Sequence, residues 1–180
     1  MLLCFSGRIG SGKSSVSSAV ASSLGWRRIG FGDFLRADLN SRGGDPNSRR
    51  QLQDLGQSRV NHDPVKFCTD VLSFGGFEPS EHIVIDGIRH SVIFEQLARL
   101  VAPVEVRLIF LKADEKSRLT RLKGSMDRES LLDAEQHPAE ADLSGAICTQ
   151  ADVAVDATRP LHEVVSTCLS YAKKWCRPSV

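Results

Sequence analysis

Apolar runs and helix-like periodicities alternate along this chain. Residues 2–5 (Leu2-Leu3-Cys4-Phe5) form an unbroken apolar run, the signature of a buried strand. Residues 14–24 carry helical spacing and stop at Gly25. Residues 26–31 read as a short second strand, and a helix opens at Asp33 and runs to about Asn40. Gly43, Gly44 and Pro46 make 41–47 a loop. Ser48 can cap the next helix, with Gln51 completing a capping box. Asp63-Pro64 opens a further helix through about Phe74.

The second half repeats the alternation. Residues 82–86 are a buried strand, and 91–101 are helical up to the stop at Pro103. Residues 104–111 form a strand and 114–122 a helix. Residues 123–140 are polar, acidic and weakly periodic, which predicts a mobile segment. A helix over 141–150, a strand over 151–155 and a helix over 161–175 complete the chain. Strands alternating with helices predict an α/β fold: a five-stranded parallel sheet with helices on both faces, in three layers. Such sheets bind ligands beyond the carboxyl ends of their strands. The loop after Phe5, Asp33, Asp86 and the residues after Val155 all fall at such ends.

Composition narrows the class. The chain has 180 residues, 41% of them hydrophobic, enough for one domain with a real core. A net charge of +1 gives no electrostatic case for general nucleic-acid or membrane-surface binding. The five cysteines are scattered without a C-x-x-C pair, and no zinc-ligand spacing is present. Together with the lack of a long apolar stretch, this predicts a cytoplasmic protein with reduced thiols.

The sharpest chemistry is at the first strand–helix junction. Gly7-Arg8-Ile9-Gly10-Ser11-Gly12-Lys13-Ser14 matches G-x-x-x-x-G-K-[ST], the phosphate-binding P-loop. A glycine-rich turn aims backbone N–H groups inward, and the helix that follows adds its positive end. Residues Gly7 to Ser15 are the predicted contacts of a nucleoside triphosphate. Lys13 would reach the β- and γ-phosphates, and Ser14 would ligate Mg²⁺. The apolar strand ending in Asp86 is a Walker-B pattern, whose carboxylate holds Mg²⁺. Gly87 follows it, where many ATPases place a glutamate to polarise water, and no N-K-x-D motif is present. Both facts argue against a hydrolytic motor or guanine switch.

Further residues resemble nucleoside monophosphate kinases. Gly32-Asp33-Phe34-Leu35-Arg36 is similar to their G-D-x-[LI]-R segment, Asp86-Gly87-Ile88-Arg89 to their D-G-x-[PR] stretch, and Arg118-x-x-Arg121 to the start of their arginine-bearing lid. Arg49-Arg50-Gln51-Leu52-Gln53-Asp54-Leu55-Gly56 resembles an R-x-x-L-Q-x-L-G stretch of the dephospho-coenzyme A kinase-like and deoxynucleoside monophosphate kinase-like branch. The resemblance implies a P-loop kinase that uses ATP and Mg²⁺ to phosphorylate a small-molecule phosphate acceptor. It implies an acceptor-binding helical insert over 41–75 and a lid over 123–140, to which Arg128 could contribute. It assigns Asp33, Arg118 and Arg121, with Lys13, to catalysis. Arg36, Arg50, Gln53 and Arg89 fall to the acceptor, and Arg159 to the donor nucleotide. Two alternatives stay open: a dephospho-coenzyme A kinase proper, and a catalytically weak nucleotide-binding sensor or partner protein.

Overall fold

The computed structural model describes residues 1–124 and 128–176. Its centre is β1 (Leu2–Gly7), flanked by β3 (Ile83–Ile88) and β4 (Val106–Lys112), with β2 (Arg27–Gly30) and β5 (Val153–Asp156) at the edges. The order β2-β3-β1-β4-β5 is parallel throughout. The predicted fold class is the observed one.

Strand alternation sorts the core into two layers. On one face Leu2, Cys4, Ile83, Ile85, Leu108 and Phe110 pack with Phe67, Val71, Ile93 and Leu97. These last belong to α4 (Pro64–Phe74) and α5 (Ser91–Leu100). On the other face Leu3, Phe5, Val84, Ile109 and Leu111 meet Val16 and Val20 of α1 (Lys13–Leu24) and Val164, Cys168 and Ala172 of α9 (Leu161–Trp175). Successive strand side chains point to opposite faces, so a continuous apolar run can feed both layers.

Local chemistry sets the helix starts. The Ser48 side chain accepts from the Gln51 N–H at the start of α3 (Arg49–His62). The Gln51 side chain does not return the bond; its Oε1 accepts from Asp45 N at 3.0 Å and holds the preceding loop. Asp63 ends α3 and caps α4 by accepting from Lys66 N, with Pro64 at the first position. The second strand is shorter than its sequence suggests. Phe31 opens α2 (Phe31–Ser41) instead, turning its ring edge-on to Phe67 at 5.2 Å. Asp114 caps α6 (Glu115–Leu122).

The polar stretch after α6 contains a helix, α7 (Arg128–Gln136), and runs into a 3₁₀ segment (Pro138–Ser144), which leaves only α8 (Ala146–Gln150) of the α-helix expected over 141–150. Leu131 and Ala134, three residues apart, share one face of α7 and are buried on Ile9, Leu119 and Leu122. This third cluster is small and separate from the two that sandwich the sheet. Residues 125–127 of the expected lid, and the side chain of Arg128, lie outside the described residues. No helix among the described residues is long and apolar enough to cross a membrane.

Candidate functional site

The loop between β1 and α1 has the backbone that its sequence predicts. Gly7, Gly10 and Gly12 all take positive φ, which side-chain-bearing residues rarely adopt. A Cβ on Gly7 would stand 2.6 Å from Leu111 O, and one on Gly10 would stand 2.9 Å from Leu122 Cδ1. The loop is therefore pressed between β4 and α6. Gly12 precedes α1 with no side chain capping the helix and no acidic residue in its first turn. That leaves the first N–H groups and the positive helix end available to an anion.

Lys13 folds over this loop. Its Nζ donates to the carbonyls of Gly7 and Arg8, the latter at 3.0 Å. Burial, and then the charge of Arg89, pull its ammonium down to about 7. Ser14, exposed at the head of α1, faces the same cleft as Asp86. Asp86 is buried at the end of β3, and its Oδ1 has no hydrogen-bond partner among the described residues. Ser11 Oγ in the loop is buried and equally unpartnered. Two orphaned buried oxygens beside a lysine and an open helix end fit a polyphosphate with its divalent cation. Lys13, Ser14 and Asp86 are the residues that would hold them.

The cleft runs from these residues across the sheet ends to Asp33, Arg36, Gln53, Arg89 and His90, with Leu35, Leu52, Phe67 and Ile93 as its apolar wall. It holds about 150 Å³, room for on the order of ten waters and so for a small molecule. Asp33 is paired on both sides. Its Oδ1 accepts from Arg36 at 3.1 Å and its Oδ2 from Arg28 at 2.8 Å. Arg89 pairs with Glu140 of the 3₁₀ segment. Burial and the nearby Arg49 lower its pKa to about 10. Gln53 reaches the cleft but commits its amide nitrogen to Ala134 O at 2.9 Å and Glu140 Oε1 at 3.5 Å. Arg50 lies elsewhere: it lines a surface groove with Asp54, Gln57 and His137. Its neighbour Arg49 is the one whose charge bears on Lys13, Arg36 and Arg89.

The two arginines of α6 sit against the P-loop. Arg118 is buried; its Nη1 donates to Ile9 O and pairs with Glu135 of α7. Arg121 donates to Ser11 O at 3.1 Å and to Ala157 O. Ser15 is exposed at the third position of α1. Arg159 is exposed and reaches Asp156 at 3.7 Å and Glu163 at 3.4 Å. The sequence reading missed Arg28, Arg49, His90, Glu135 and Glu140. Arg28 had a signal: an arginine on a short strand that must lie against the sheet, five residues before Asp33. The two glutamates had none, because each is identified only by the arginine it meets.

Comparison with known proteins places the chain in a family and agrees with its fold. A family model described as "AAA domain" matches residues 3–141. A UPF0200 protein of Methanothrix thermoacetophila is 30% identical over 129 residues, covering 70% of this chain and 68% of the relative. A UPF0200 protein of Aeropyrum pernix is 33% identical over 129 residues, covering 68% and 63%. Among solved structures, a gluconokinase of Sinorhizobium meliloti superposes with a TM-score of 0.62 at 23% identity, over 96% of this chain and 91% of that one. A shikimate kinase of Aquifex aeolicus gives 0.63 at 19% identity, over 99% and 100%. At these identities the two structures speak to the fold, which is that of small P-loop kinases.

Proposed function

The chain belongs to the AAA domain family, and we propose that it is a small-molecule kinase moving the γ-phosphoryl group of ATP to a phosphorylated acceptor such as a nucleoside monophosphate. One observation carries the reading. A P-loop lysine, a strand-end carboxylate with an open buried oxygen, and a set of arginines converge on one cleft with an apolar wall. Phosphoryl transfer asks mainly for positioning and charge neutralisation.

In this reading the residues divide the work. The loop N–H groups and Lys13 bind the donor phosphates. Ser14 and Asp86 would hold Mg²⁺, which would supply charge neutralisation for the donor phosphates. Arg36 and Arg89 orient the acceptor phosphate, with Arg49 adding charge at longer range. Asp33, paired with Arg28 and Arg36, serves better as a fixed strut than as a free base. Arg121 fixes the loop against the turn after β5, where the donor base would lie near Ala157 and Arg159. Residues 123–140 act as a lid that excludes water, so that the acceptor and not water is phosphorylated. Arg118 reaches the transferring group if its bond to Glu135 yields to phosphate.

A coupled assay over ribo- and deoxynucleoside monophosphates and dephospho-coenzyme A tests this. One acceptor should be phosphorylated, and Lys13→Ala should abolish the transfer while the protein still melts cooperatively. Phosphorylation of dephospho-coenzyme A alone would move the acceptor to a ribose hydroxyl. Nucleotide binding without transfer to any acceptor would make the protein a sensor and refute the kinase reading.

A further inference from the structure

Arg28 joins three elements through one guanidinium. From the second position of β2 its Nε donates to Ser17 Oγ at 3.2 Å, its Nη1 to Asp33 Oδ2 at 2.8 Å and its Nη2 to Asp86 Oδ2 at 2.8 Å. Ser17 is fully buried on α1, and Asp86 is 4% exposed at the end of β3. Burial works against the charge on Arg28, yet its bonds to the two carboxylates hold its pKa above the ordinary value. Gly30 makes room for this. A Cβ there would stand 2.2 Å from Asp33 Oδ2 and 3.5 Å from Arg28 Nη1. Any larger residue would push Asp33 off the arginine.

The oxygens divide in a definite way. Both Oδ2 atoms meet neighbouring nitrogens of one planar cation, and Asp33 Oδ1 takes Arg36. Only Asp86 Oδ1 is left buried without a partner among these four atoms. Two carboxylates this close repel one another unless a cation lies between them. Without one, they would make an all-oxygen donor set of the kind that hard divalent ions favour.

We propose that Arg28 occupies the cation position between Asp33 and Asp86, so that the nucleotide-free protein does not capture a divalent ion there and Asp86 Oδ1 is kept for the metal that arrives with the triphosphate. The proposal rests on reading the cleft as a triphosphate and metal site. Arg28 is a positioning residue in it, acting through two carboxylates and not on the reacting atoms. It also connects the two sides of the cleft, since the chain Arg36–Asp33–Arg28–Asp86 runs from the acceptor grip to the metal carboxylate.

The test is Mn²⁺ binding to the nucleotide-free protein, followed by electron paramagnetic resonance, with thermal melting of each variant alongside. Arg28→Met removes the charge and keeps most of the stem. It should bind one equivalent of Mn²⁺ at least tenfold more tightly than the wild type, and the double variant R28M/D86N should lose the gain. Arg28→Lys offers one ammonium that cannot bond both carboxylates as the fork does, so its Mn²⁺ affinity should fall in between. If Arg28→Met does not stay folded, Arg28→Lys carries the test alone. A lowered melting temperature with wild-type Mn²⁺ binding in the folded variants would make Arg28 a structural clamp only, and would overturn the proposal. Phosphoryl transfer plays no part in this measurement. Should the wild type bind no Mg·ATP while Arg28→Met captures Mn²⁺, the cation position stands and the kinase reading falls.

Discussion

Asp86 offers one oxygen to Arg28 and keeps the other open, and single substitutions can separate these two duties. Asp86→Asn retains an oxygen that can accept from Arg28 but removes the charge that orders a metal's water shell. The Mg²⁺ concentration giving half-maximal rate should rise roughly ten- to a hundredfold, the range for lost outer-shell metal partners. Nucleotide affinity in excess Mg²⁺ should change far less. Superimposable Mg²⁺ titrations for the two proteins would leave Asp86 as a turn residue. On the acceptor side, Arg36→Ala is the cleaner probe. Arg36 is half exposed, at 53% of its side chain, and its loss leaves Asp33 still bonded to Arg28. A charge-assisted contact to phosphate contributes about 1.5–3 kcal/mol, so acceptor KM should rise roughly ten- to a hundredfold with donor affinity unchanged. A fall in donor affinity instead would mean that the two sides of the cleft are exchanged. Arg89→Ala should raise KM too, but it strands the buried carboxylate of Glu140 and so should also cost about 3–5 kcal/mol of stability. Steady-state kinetics and urea melts on both variants separate those effects.

At the scale of elements, α7 is the informative case. Its burial depends on Ile9, far back in the chain, so nothing local in 123–140 announces it. Leu131→Ala removes the largest fully buried side chain of that cluster. Amide exchange over 128–144 should quicken at least tenfold, while β1 and β4 keep their protection. If protection falls everywhere together, the segment is part of the global fold and cannot move as a lid. The turn from β3 into α5 carries a pH signature. Burial lowers the pKa of His90 first of all, with Asp142 acting in the other direction and Arg89 and His137 adding to the drop. A histidine whose folded pKa lies below its unfolded value of 6.5 takes up protons more readily when unfolded. Stability should therefore be full above pH 6.5 and decline as the pH falls below it. His90→Gln should flatten that decline in melts taken between pH 7.5 and 5.5; an unchanged slope would assign it to other groups, His82 first.

For the whole molecule, the readable parts were those written in consecutive residues. The P-loop, the strand runs at Leu2–Phe5 and Ile83–Asp86, and the helix starts at Ser48 and Asp63 each rest on local chemistry, and the structure keeps them. What escaped was assembled by convergence. Arg28 matters because β2 lies beside β3, and Glu140 because the 3₁₀ segment reaches Arg89. No periodicity encodes either meeting. Arg49 and Arg50 both border a surface groove, but only the charge of Arg49, the arginine that the motif match itself picks out, bears on Lys13, Arg36 and Arg89. The sheet itself has a consequence for how the protein behaves in concentrated solution. Its outermost strands, β2 and β5, are four residues each, against six or seven for the three inside. Arginines begin one edge, and Asp156 closes the other. Short, charged borders give an incoming strand little to zip onto. Aggregation, where it occurs, should then require unfolding first, and light scattering during a melt should rise only after the loss of secondary structure and never before it.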